Sequence, residues 1–79
     1  MTEKEVLYNL QKLIGTHYDY NEIICAFEDY EENGINEVIV EKNLSSQLYN
    51  YIAYINTKNS KEFFIKVDKM NKITEVWYS

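Results

Sequence analysis

Between Asp19 and Glu41 the chain carries eight carboxylates, Asp19, Glu22, Glu28, Asp29, Glu31, Glu32, Glu37 and Glu41, and not one Lys. Carboxylates crowded in this way can share protons in general acid–base chemistry or converge on a divalent cation. Either role needs a loop or cleft that bends several of them toward one point. No D-x-[DN]-x-[DN]-G loop occurs, and the spacing strings most of these acids along a helix, which does not gather them on one ion. No metal, no cofactor and no catalytic carboxylate is expected.

Cys25 is the single cysteine and His17 the single histidine. As a pair they could form a nucleophile and its base, but acidic neighbours disfavour the thiolate such chemistry needs. One cysteine also excludes an intramolecular disulfide, and no Cys/His set has zinc-ligand spacing. The chain is therefore read as a binding protein and not as an enzyme.

The elements that position these residues follow from periodicity. Thr2 and Glu5 form a capping box, Val6, Leu7, Leu10, Leu13 and Ile14 recur at helical spacing, and Gly15 suits the left-handed residue beyond a helix. A first helix is predicted over about residues 3–14. Asp19 and Glu22 signal a second helix start. Tyr20, Ile23, Ile24, Phe27 and Tyr30 make its apolar face, and Asn33-Gly34 its end. Cys25 falls on the opposite face, among the acids.

After Gly34 the period becomes two. Strands are predicted over 35–42, 47–57, 62–68 and 72–78, joined by a loop at 43–46 and turns at Lys58-Asn59-Ser60 and Asp68-Lys69-Met70-Asn71. Connections this short imply an antiparallel meander. The fold class expected is α+β, one domain over residues 1–79. Its two N-terminal helices pack on one face of a three- to four-stranded antiparallel sheet. The last thirty or so residues resemble the end of PepSY-type modules, where a strand, an Asp-containing turn and a strand close the domain. The Gly usual in that turn is absent, and no function is carried over from the likeness.

Charge is segregated along the chain. Residues 1–41 hold ten acids against Lys4 and Lys12, a net of −8, while residues 42–79 hold three acids against six Lys, a net of +3. Glu28, Asp29, Glu31 and Glu32 fall in the last turn of the predicted second helix, where the helix dipole favours cations. Each costs roughly 0.3–1 kcal/mol at low salt. Local rules broken without local compensation mark functional sites, although a charge run is also the ordinary make-up of a solvated face. Read functionally, Glu22, Glu28, Asp29, Glu31, Glu32, Glu37 and Glu41 present a carboxylate surface to a protein partner with a basic, nucleic-acid-binding site. Small acidic anti-CRISPR and anti-restriction inhibitors from mobile elements resemble this chain in size and charge. The alternative is self-assembly into a homodimer or larger oligomer, the acidic half of one copy meeting the basic hairpin of another.

The chain itself is not expected to bind nucleic acid. It has no Arg, the residue that grips phosphate and guanine bidentately, and its net charge of −5 repels polyanions. A cytoplasmic location is expected, because Glu3, Lys4 and Glu5 stand where a signal peptide would be apolar and no apolar run nears the roughly 20 residues of a membrane span.

A second candidate surface lies on the sheet. If Phe63, Ile65 and Val67 face the helices, Phe64 and Lys66 face away, and Tyr49, Tyr51 and Tyr78 are expected to join them in an aromatic face for a partner. The eight Tyr and the many Asn, Ile and Lys also fit an AT-rich genome, since Arg and Pro are absent and Gly and Ala scarce. That bias weakens composition alone as a sign of binding.

Overall fold

A computed structural model of the chain describes residues 3–27, 38–44, 48–55 and 61–79. The elements run α1 (Glu3–Gln11), α2 (Tyr20–Cys25), β1 (Val38–Lys42), β2 (Tyr51–Ile55), β3 (Phe63–Val67) and β4 (Ile73–Tyr78). The strands form one antiparallel sheet in the order β1-β2-β3-β4, so the fold is the α+β meander that the short connections required. No helix among the described residues is long and apolar enough to cross a membrane.

Helix α1 buries Val6 and Leu10, and Leu7 and Leu13 pack against the same cluster. The helix ends at Gln11, short of the predicted residue 14. The chain then turns through residues 12–15, and Ile14 is left 43% exposed. Gly15 takes a φ of +93°, a conformation that side-chain-bearing residues adopt only at a cost. Thr2, the expected cap, lies outside the described residues.

Helix α2 starts where Asp19 places its carboxylate over the Asn21 N–H at 2.9 Å. Ile23 and Phe27 are buried and Cys25 is exposed, as the helical wheel requires, but Tyr20 is half-exposed. Ala26 caps the helix after Cys25. The predicted continuation to Asn33-Gly34 lies from residue 28 onward outside the described residues, as do strand residues 35–37.

Register decides which side chains share a face. Val38 pairs with Ile55, Val40 with Ala53, Ala53 with Phe63, Ile65 with Val76 and Phe63 with Tyr78. These residues and Val67 share one face. The buried cluster joins that face to Val6, Leu10, Ile23, Ala26 and Phe27 from the helical part. Phe27 meets Phe63 edge-on with ring centroids 5.3 Å apart, a favoured aromatic geometry. The register shifts between Lys66, opposite Glu75, and Val67, opposite Ile73, as one extra residue in a strand produces.

The segment between the helices is more than a connection. Gly15 N–H donates to Ile73 O, Ile73 N–H to Thr16 O and Tyr18 N–H to Asn71 O, each at 2.8 Å, and His17 bridges Lys72. This strip of backbone pairs with the outer edge of β4 at its start. A little further on, Gln11 Nε2 reaches Val76 O at 3.4 Å. Part of an otherwise open sheet edge is thereby covered by the chain itself. His17 has an exposed side chain on a backbone held to the sheet.

Candidate interaction surface

The sheet face opposite the core begins from the same register. Glu41 stands opposite Ile52, Ile52 opposite Phe64 and Phe64 opposite Trp77, a row that crosses all four strands. Ile39 lies opposite Tyr54, and Lys66 opposite Glu75. Ile39, Ile52, Phe64 and Trp77 lie outside the buried cluster. Ile39, Ile52 and Phe64 are half-buried, and Trp77 is 36% exposed.

Three rings gather on this face. The Phe64 and Trp77 rings stack with centroids 5.7 Å apart and planes 25° apart. Tyr49 tilts onto Phe64 at 4.7 Å and meets Trp77 edge-on at 6.5 Å. Tyr49 reaches this side because residues 48–50 are not part of β2 and do not follow its alternation. An open groove of about 560 Å³ lies beside Trp77, lined by Ile14, Leu48, Lys66, Thr74, Glu75 and Val76 as well.

Two residues expected here are elsewhere. Tyr51 pairs with Ile65 and packs on the buried cluster, and Tyr78 pairs with Phe63 and stacks on it at 5.6 Å. Both belong to the core side. Phe64 and Lys66 are on the outer side as expected, and Trp77 and Ile52 join them though neither was singled out. Trp77 was missed because Tyr78 was expected on the outer side, and alternation then turns its neighbour inward.

The face carries acids at its margins. The Tyr54 hydroxyl donates to Glu41 Oε1 at 2.7 Å. That hydrogen bond, with the charges of Glu41 and Glu62, holds the Tyr54 phenol above its ordinary range. Glu75 lies on the other side of the aromatic row, with Lys66 directly across from it.

Of the acidic stretch, Asp19, Glu22 and Glu41 are described and all three are exposed. Glu28, Asp29, Glu31, Glu32 and Glu37 lie outside the described residues. Among the described residues no group of three or more His, Cys, Asp or Glu side chains is placed to hold a metal ion.

The class defined so far is an α+β meander with an aromatic outer sheet face. The chain matches no protein-family model, no curated protein and no solved structure.

Proposed function

We infer that the protein acts by binding and not by catalysis: it is an acidic module that occupies a basic, nucleic-acid-binding site on a protein partner inside the cell and thereby inhibits it. One observation carries this reading, the run of eight acids without a Lys from Asp19 to Glu41. Carboxylates strung along one stretch present negative charge on the scale of backbone phosphates, and such charge complementarity steers association and selects partners. An inhibitor of the anti-CRISPR or anti-restriction kind is the form this activity takes.

The test is affinity capture from bacterial lysate with the tagged protein, eluted by rising salt. A basic nucleic-acid-binding protein should be retained and free DNA should displace it. The variant with Glu28, Asp29, Glu31 and Glu32 all changed to Lys should lose it while keeping its circular dichroism. Equal retention by that variant removes the reading.

The segregation of charge into a half of −8 and a half of +3 favours one other reading, head-to-tail self-assembly. Size-exclusion mass at low and high salt separates the two, since a monomer under both conditions excludes assembly.

A further inference from the structure

Resting on the reading of a basic partner, we propose that the outer sheet face is part of the contact and that it takes arginine side chains from that partner. Glu41 is the joint between the two regions. It ends the acidic stretch in sequence, and in space it begins the row Glu41–Ile52–Phe64–Trp77. Strands lie roughly 4.8 Å apart, so this row runs about 14 Å from a carboxylate to an indole.

The chemistry of the face selects a guanidinium. Trp77, Phe64 and Tyr49 offer ring surfaces in contact with one another, and Trp77 keeps 36% of its surface exposed. Glu41 heads the row with its carboxylate on the Tyr54 hydroxyl, Glu62 acts on the same phenol, and Glu75 lies on the other side of the rings. Lys66, opposite Glu75, offsets one of those charges, so among these described residues three carboxylates stand against one ammonium group. A planar cation that stacks on an aromatic ring while its N–H groups reach a carboxylate is an arginine. A lysine ammonium satisfies the carboxylate but lacks the flat stacking surface. Arginine and aromatic residues are also the types enriched where protein surfaces meet.

Trp77 is the only Trp in the chain, so its emission reports on this face directly. The full-length protein is titrated at low salt with a synthetic peptide alternating Arg and Gly, and with its Lys-for-Arg counterpart, by fluorescence and by calorimetry. The Arg peptide should change Trp77 emission saturably and bind more tightly than the Lys peptide. Glu41→Gln and Glu75→Gln should each weaken it. Trp77→Ala, checked for fold by circular dichroism, should weaken it roughly two- to fivefold. The emission change should persist when Glu28, Glu31 and Glu32 become Gln and Asp29 becomes Asn.

Calorimetric binding with no change in Trp77 emission overturns the proposal while sparing the acidic stretch as the binding site. Equal affinity for the two peptides overturns the choice of arginine. No binding of either peptide overturns the proposal as a whole. An emission change on concentrating the protein alone, with no peptide present, assigns the face to a second copy instead.

Discussion

The rings of Tyr18 and Tyr51 lie parallel, 4° apart in plane, with centroids 3.8 Å from one another. Tyr51 belongs to β2, and Tyr18 is held in place by its N–H bond to Asn71 O. The contact therefore ties the interhelix segment to the sheet from above, while the backbone bonds tie it to the edge of β4. Burial, and secondarily the neighbouring Tyr51, Tyr20 and Asp19, push the Tyr18 phenol up to about 12.

An alkaline titration followed by tyrosinate absorbance should accordingly contain a phenol titrating near 12 that Tyr18→Phe removes, while the raised Tyr54 phenol remains in both proteins. The folded pKa lies above the ordinary 10.0, so between about 10 and 12 the unfolded chain loses this proton and the folded chain keeps it. The stability Tyr18 contributes is complete below 10 and lost as pH rises through 12. Denaturant midpoints across that window should fall more steeply in the natural protein than in Tyr18→Phe.

Asp68 organises the β3–β4 turn. Its Oδ1 accepts from Lys72 N–H at 3.0 Å and Met70 N–H at 2.8 Å. The Lys72 hydrogen bond leads the causes that hold this carboxyl below its usual 3.8. With the folded value depressed, its contribution is present above the unfolded pKa and lost as pH falls through the folded one. Asp68→Ala should lower Tm at neutral pH and flatten the acid limb of stability. Asp68→Asn, which keeps an acceptor oxygen, should lower Tm less. Identical melting of Asp68→Ala and the natural protein would show that the turn does not depend on it.

Asn71 closes the same turn with a φ of +62°. Asn and Gly tolerate this left-handed region, and other residues meet a cost of about 1–2 kcal/mol. Asn71→Gly should therefore leave urea stability nearly unchanged, and Asn71→Val should reduce it by about that amount. Equal losses in both variants would place the role of Asn71 in its side chain instead.

Ile23 is the buried residue of α2, a helix of six residues and far too short to persist on its own propensity. Its burial against the cluster holds α2 in place. Ile23→Ala should cost about 2–5 kcal/mol, a large share of the roughly 5–15 kcal/mol a small domain possesses. The neighbouring exposed position offers a control, since Cys25→Ser should leave the melting curve nearly where it was.

Periodicity and turn chemistry in the chain were enough to determine the order of elements. Alternating residues located β1, β3 and β4, helical spacing located α1, Gly15 marked a left-handed residue, and the Asp68 turn separated the last two strands. Short connections then left an antiparallel meander as the arrangement available to those strands. These signals are local, and they survive because each residue's own geometry enforces them.

Facing and edge cover were decided only in the tertiary structure. Alternation says which residues of a strand share a side, but burial against a particular neighbour selects the inner side. Tyr49 and Tyr51 stand two apart in sequence and end on opposite faces because β2 begins at Tyr51 and residues 48–50 break the alternation. The pairing of residues 15–18 with β4 left no trace in the sequence, because it is made through main-chain groups that every residue but proline carries. The aromatic row from Ile52 to Trp77 is likewise a product of register, since its members come from three strands and meet only when those strands are aligned.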